Sequence, residues 1–557
     1  MSQEYKEEKN RQRGNKAIKT IVIIVIILTV IAFGVYQLFF KELIAESFIP
    51  ENPTSVMLID INPDSQQNRA LEQLSLNLGN ENIFSNYLEE LFFNGISLEN
   101  LKIDERDLKS WLGDRLIISR IKLSSSEDRS AQVVEIKNTE KAREILNTIG
   151  TNIQKRGSVL SVEEFREREI VFIEGKNNVA YSLSDNFLLV SEDPAGIKMM
   201  IDTSLGRNRS LSSDKVYKKL KKKLKADDYV VFAFIDVLNT LKYISGFSKQ
   251  INFSFLDNIA ASERINVGAV FTAQDDGIET SILMGGSGQS YEKKKGFTPN
   301  LAEKIPSDIS FYIEGQDIQS FTERLLVGKG EDLSDDDIEA KSELLKKGLN
   351  LQFGIDLEED LFNHLSGRYA FVLFPVKEGK GFSAGIVLEK NKESDLPEKM
   401  KKVEQVILEE INKNLVKDED NDVSFIDRNY KSTTYRYAKL PEEIKADIFY
   451  AILDNELIIT SSKGALTKLI DASDQSNNSL ASNSKFKNNY QMIESNDATR
   501  LIYFDMRKAF EFLDNYEFLK YTAVKDEFRK IESVGFLNKY SGEGGWAQGF
   551  ISIKTNE

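Results

Sequence analysis

One histidine stands in the whole chain, His364, and none of the 557 residues is cysteine. An imidazole is the commonest general base near neutral pH, so His364 is the first residue to test for catalysis. It lies in "DLFNHLSGR", and a matching stretch, "DLKSWLGDR", carries Trp111 in its place. A position filled by Trp or His reads as a half-buried helix position, and a catalytic triad would also need an oriented partner. With no thiol and one imidazole, a zinc centre built from Cys and His is not available. No catalytic residue, metal ligand or cofactor is therefore expected.

Carboxylates are the remaining chemistry, with 88 Asp and Glu in the chain. In "KDEDNDVSFIDRN", Asp418, Asp420 and Asp422 alternate as in a calcium loop. Such a loop needs Gly sixth and Glu twelfth, where this one has Val423 and Asn429, so it reads as a solvated insertion. Asp236 and Asp505 recur at matching strand ends, each before a helical stretch, and read as helix caps. In "EDLSDDDIEAKSE", Ser334 reads as an N-cap with acids at the positive end of the helix dipole. No phosphate loop of the G-x-x-x-x-G-K-[ST] kind occurs.

The densest basic run is "KVYKKLKKKLKADD", Lys215 to Asp228. Val216, Tyr217, Leu220 and Leu224 fall at helical spacing, so one face packs and the other is solvated. A sharper alternative is contact with anionic lipid. The net charge of −15 excludes broad nucleic-acid binding, which needs a cationic face.

Around these residues the chain organises itself in three parts. Residues 21–40, "IVIIVIILTVIAFGVYQLFF", carry no charge and reach the roughly 20 residues that a membrane-spanning helix needs. Lys and Arg precede the run, which places residues 1–19 as a cytoplasmic tail and the bulk of the chain outside. The expected arrangement is a single-pass anchor over 20–40 in the inner (cytoplasmic) membrane, with a periplasmic or otherwise extracytoplasmic remainder. A cleaved signal peptide would have a shorter apolar core and a small-x-small site, which "GVYQLFF" lacks.

The remainder repeats itself. "YSLSDNFLLVSEDPAGIKMMID" from Tyr181 matches "YAILDNELIITSSKGALTKLID" from Tyr450. At that same offset Asp185 meets Asp454, Asn186 meets Asn455, Asp202 meets Asp471 and Asp236 meets Asp505. Two units follow, 48–290 and 303–557, joined by the linker-like "GGSGQSYEKKKGFTPN". Apolar runs such as "SVMLIDI", "DRLIISRIKL", "AQVVEIK" and "YVVFAFIDV" read as strands. "INVGAVFTAQDDGIETSILM" reads as a hairpin turning at Asp-Asp-Gly. "NTEKAREILNTIGTNIQ" and "PAGIKMMID" read as helices. Strands joined by short turns predict an α+β fold of two tandem units with mostly antiparallel sheets and packed helices.

The paired "IP" openings at Ile49 and Ile305, "GIDLEEDLFNHLSGR", and the repeated "DN(F/E)L(L/I)(V/I)(S/T)" strand resemble an uncharacterised bacterial domain-of-unknown-function family. Its members are large, often membrane-anchored proteins in which a helix ending in Leu-Gly precedes a strand. The resemblance covers nearly all of the extracytoplasmic part and implies no activity or site residues.

The expected function is a non-enzymatic binding or scaffolding role in the cell envelope. Its partners are the membrane and an unidentified envelope protein or lipid, with no nucleic acid. The alternatives are a carrier of a lipid or other hydrophobic ligand in a groove between the units, and a carboxylate-based hydrolase.

Overall fold

The computed structural model describes residues 43–77, 110–237, 265–286, 297–319, 342–375, 383–414, 423–440, 447–491, 498–509 and 530–554, with short gaps inside some stretches. The 1–19 tail, the 20–40 run, Ser334 and Asp418, Asp420 and Asp422 lie outside them. Among the described residues no helix is long and apolar enough to cross a membrane.

Twenty strands form one sheet. The first ten are β1 (Ser55–Asp60), β2 (Leu112–Lys122), β3 (Asp128–Ile136), β4 (Val159–Phe165), β5 (Arg168–Glu174), β6 (Val179–Ser184), β7 (Phe187–Ser191), β8 (Val231–Asp236), β9 (Ile265–Gln274) and β10 (Gly277–Gly286). Across this half the order is β4-β5-β6-β7-β3-β2-β1-β8-β9-β10, and every pairing is antiparallel. The other ten are β11 (Phe311–Gly315), β12 (Leu365–Phe374), β13 (Ser383–Lys390), β14 (Ile426–Tyr430), β15 (Thr433–Ala438), β16 (Ile448–Ile452), β17 (Glu456–Thr460), β18 (Arg500–Asp505), β19 (Ile531–Ser541) and β20 (Gly544–Ile553). Their order is β14-β15-β16-β17-β13-β12-β11-β18-β19-β20, the same wiring.

The halves meet where β10 pairs antiparallel with β20, from Gly277 opposite Ser552 to Met284 opposite Gly545. The junction is thus a strand ladder, so the two halves continue one sheet there. Trp546 of β20 packs into the core of the first half, which carries side-chain contact across the seam as well.

Helices cover both faces. On one face, called A here, lie α3 (Pro194–Ser204) and α4 (Lys215–Lys223) in the first half, with α7 (Lys463–Asp474) and α8 (Ser484–Gln491) in the second. Ile197, Met200 and Ile201 of α3 and Tyr217 and Leu220 of α4 pack on Val56, Leu58, Phe232 and Phe234. Leu466, Leu469 and Ile470 of α7 and Phe486 of α8 pack on Tyr312, Val372, Val387 and Ile458. On face B lie α2 (Thr139–Gln154) and α6 (Leu396–Asn414). Ala142, Ile145 and Ile149 of α2 meet Leu116, Val134 and Leu188, while Leu396 and Met400 of α6 meet Tyr369, Leu388 and Leu457. Two further helices are α1 (Gln66–Asn77), which packs against β9, and the short α5 (Leu357–Asp360).

Glycine permits the closest helix approaches. A Cβ on Gly535 of β19 would sit 3.0 Å from the Asn489 Cβ of α8. A Cβ on Gly268 of β9 would sit 3.2 Å from the Leu220 Cβ of α4, the corresponding place in the first half.

Two strands escape a reading from residue pattern. β4 and β14 each have one partner among the described strands, and their side chains are largely exposed. An edge strand without a buried face shows no apolar alternation. The β4–β5 turn, Arg166–Glu167, has φ of 54° and 61°, the primed hairpin geometry without its usual Asn or Gly.

Candidate functional site

Side chains alternate across a strand, so the register assigns each residue to a face. Phe232 and Phe234 of β8 point to face A, which puts Val231, Ala233 and Ile235 on face B. Carried through the ladders, face B also receives Met57 of β1, Phe271 of β9, Ile282 and Met284 of β10, Ala547 and Ile551 of β20, and Phe536 of β19. Ile502 and Phe504 of β18 and Phe311 of β11 complete the row. The Phe311 ring lies 4.6 Å from Phe504 and 6.2 Å from Phe371 of β12, confirming that these aromatic side chains share a face.

Among the described residues, helices α2 and α6 rest on the outer strands of face B; β1, β8, β9, β10, β20, β19, β18 and β11 lie between them, with α1 packed against β9. At about 4.8 Å per strand this stretch spans roughly 35 Å. Most of its apolar side chains are half-buried, and Met57 and Met284 are 41% and 37% exposed. Apolar side chains gathered on one face mark binding surfaces more often than scattered ones do. The same ladders also put Thr280 of β10, Asn538 of β19 and Arg500 of β18 on face B, so the stretch is mainly but not uniformly apolar.

Three buried carboxylates lie away from the seam, each held by several partners. Glu314 of β11 is wholly buried on face A. Its Oε1 accepts from the Asn300 and Leu301 amides at 3.0 and 3.1 Å and from Arg368 at 2.9 Å, and Tyr312 donates to its Oε2 at 2.5 Å. Burial pushes the Glu314 carboxyl above its ordinary value, against the pull of those donors. On face B, Glu404 of α6 accepts from Tyr450 at 2.5 Å and pairs with Arg436 at 2.9 Å; burial raises it too. Glu46 pairs with Lys221 at 2.8 Å; burial would raise it, but Lys221 holds it below the ordinary carboxylate value.

Asp360 ties α5 to α6 through Lys399 and Lys402. Burial works to raise it, yet bonds from Lys402, the Asp356 amide and Lys399 bring it down to about 2. A folded value below the ordinary 3.8 gives stability that is present above 3.8 and lost as pH falls through about 2. Acid titration followed by circular dichroism should show Asp360→Asn losing stability at neutral pH, and the wild-type advantage over it shrinking from pH 3.8 downward.

The residues singled out by sequence fall into structural roles. His364 bonds the Glu359 carbonyl through Nε2 at 3.0 Å and Asp395 through Nδ1 at 3.0 Å, and Trp111 at the matching place is buried. Asp505 accepts from the Lys508 amide at 3.2 Å, a helix cap, and Asp236 is buried at the same position of β8. Val423 bonds Asn412 at the end of α6, and Asn429 lies in β14. Glu192-Asp193 and Ser461-Ser462 differ between the two matching stretches, yet they include the caps of α3 and α7. Asp193 accepts from Gly196 N at 3.0 Å and binds Arg129, while Ser462 accepts from Ala465 N at 3.2 Å.

A family model described as a protein of unknown function, DUF3352, matches residues 18–535. The chain belongs to the DUF3352 family. No curated protein matches it. A solved structure, crystal form I of TP0453, aligns with 46% of this chain and 83% of its own at 8% identity and a TM-score of 0.27, too slight a likeness to support an argument.

In this DUF3352 protein the paired "DLKSWLGDR" and "DLFNHLSGR" stretches have a definite mechanical role. Each opens a strand with a register shift, between Leu112 and Leu116 in β2 and between Leu365 and Tyr369 in β12. A bulge re-aims a side chain. In the second half Gly367, at φ 88°, precedes Arg368, which reaches the buried Glu314. Leu58 occupies the Glu314 position in the first half, so sequence comparison of the halves alone gave no sign of this lock.

Proposed function

We propose that this protein is a membrane-anchored, extracytoplasmic binding protein without catalytic activity, whose face B holds an acyl-chain ligand. The observation that carries the reading is the eight-strand, mainly apolar stretch running through the β10–β20 seam. The anchor over 20–40 rests on its length, lack of charge and flanking basic residues. The units 48–290 and 303–557 are read as copies of one ancestral unit, supported by their shared wiring and paired bulges. Duplication with edge pairing explains how a modest unit acquired a face wide enough for hydrocarbon.

Native mass spectrometry of the full chain, extracted in mild detergent, tests this. The expected result is a bound lipid in stoichiometric amount. Consistent absence of lipid overturns the ligand assignment.

Scaffolding by strand addition is a second reading, favoured by β4, where Val159 and Val162 are 63% and 56% exposed beside an edge with one described partner. Crosslinking in cells from a label on β4 separates the two, since only the scaffold reading yields a protein adduct there. A carboxylate hydrolase has less support, because the buried acids Glu314, Glu404 and Glu46 are held in ion pairs within the packed fold.

A further inference from the structure

Helix α4 is the strongest concentration of positive charge in the described fold. Lys215, Lys218, Lys219 and Lys222 recur at i, i+3, i+4 and i+7, which places them on one helix face, and all are exposed. The opposite face is buried through Tyr217 and Leu220. Asp214 accepts from the Val216 and Tyr217 amides as the N-cap, and Lys221 is taken by Glu46, so neither acid neutralises the exposed lysines. Beyond the helix Asp227 and Asp228 are exposed, and Asp228 approaches Gln67 at 3.3 Å. Arg207 and Arg209 in the preceding loop are exposed too, with Asp202 and Glu51 as ion-pair partners at 3.4 and 3.8 Å.

Two observations turn this patch into more than a solvated face. First, Glu46 is where the chain enters the fold, and it is bound to α4 by Lys221 at 2.8 Å and Tyr217 at 3.2 Å. Phe48 and Ile49 behind it are fully buried, so the entry point is fixed against this helix. The apolar run ends at Phe40, and a fully extended chain from there to Glu46 spans at most about 20 Å. Second, most of the charge belongs to one half. Helix α8 occupies the equivalent place in the second half; at the positions of Lys215, Lys219 and Lys222 it carries Ser484, Asn488 and Gln491, and it keeps Lys487 at the position of Lys218. The fold therefore does not require the full row of lysines, which occurs beside the chain entry.

We infer that α4 docks on the anionic headgroups of the membrane that holds the 20–40 anchor, fixing the orientation of the sheet relative to the bilayer. This rests on the anchor reading above. The occupant is a phospholipid surface, because the patch is a flat row of lysines suited to distributed negative charge and is tethered within reach of it. Attraction over such a distance is screened beyond about 8 Å at physiological salt, so docking is salt-sensitive.

The absence of cysteine allows a unique label. Ser213→Cys, exposed and just before α4, would carry a fluorophore on the full chain in nanodiscs containing a headgroup spin-labelled lipid. Discs of phosphatidylcholine are compared with discs in which phosphatidylglycerol is mixed. Quenching should rise about two-fold or more in the anionic discs and fall back in high salt. The K215Q/K218Q/K219Q/K222Q variant should lose that rise at unchanged thermal stability. Equal quenching in both discs, or a rise that survives in the variant, overturns the docking and leaves the anchor intact. Failure of the chain to enter either disc overturns the anchor, and the docking with it.

Discussion

Arg368→Ala should lower the unfolding free energy by about 3–5 kcal/mol, the usual cost of removing one partner from a buried ion pair. Arg368 supplies the counter-charge to a carboxylate that has no solvent exposure, and it lies 5.7 Å over the Phe297 ring as well. Without it, Glu314 keeps the Tyr312 hydroxyl and two amide donors but has lost its cation. The pH dependence identifies the cause. Glu314 already titrates above its ordinary 4.5 because it is buried, so its contribution to stability is full below 4.5 and declines as pH rises through the folded value. Removing Arg368 moves that folded value further up. The deficit of the variant should therefore be smallest near pH 4.5 and widen toward neutrality. Urea denaturation at several pH values reads this directly. A deficit that does not change with pH would show that Arg368 acts by packing rather than by charge.

The double variant Met57→Glu, Met284→Glu should abolish lipid retention while leaving the fold in place. Both side chains are partly solvent-exposed on face B, so carboxylates there remain hydrated in the empty protein, and stability should change by no more than about 1 kcal/mol. An acyl chain laid across the face would strip that water, at an expected loss on the order of tenfold in affinity for each charge. Native mass spectrometry should show the lipid peak of the wild type gone and thermal unfolding nearly unchanged. Full retention of lipid would remove face B as its binding place.

What could be read from residue order was local. The turn at Asp275–Asp276 links β9 and β10 as the Asp-Asp-Gly signal implies, and the helix over Thr139–Gln154 follows its apolar spacing. Asp505 caps the helix after β18 as its place at a strand end suggested. Strands β4 and β14 were silent because neither buries an apolar face. The β10–β20 ladder was silent for another reason. Pairing between Ser281 and Gln548 depends on two distant strands finding each other, and no local pattern encodes the choice. The Glu314 lock was hidden because a Glu among strand residues looks solvated until the fold closes over it. The same limit applied to Asp193 and Ser462, whose unlike side chains cap equivalent helices. Chemistry that serves the fold can differ between the two halves when the hydrogen bond it supplies is the same.

The seam is the claim on which the shared face depends, and a disulfide tests it most directly. Ser281 and Gln548 are Cα partners across β10 and β20, and no native cysteine competes. Partners in an antiparallel ladder have Cα atoms about 4.5–5.5 Å apart, within the range a disulfide accepts. Ser281→Cys with Gln548→Cys should oxidise to an intramolecular crosslink in the folded full chain, visible as a non-reducing gel shift that denaturation before oxidation prevents. The pair Ser281→Cys with Arg428→Cys, joining the seam to outer strand β14, should not form it. A seam pair that stays reduced, or that crosslinks no better than this control, would contradict the single continuous sheet.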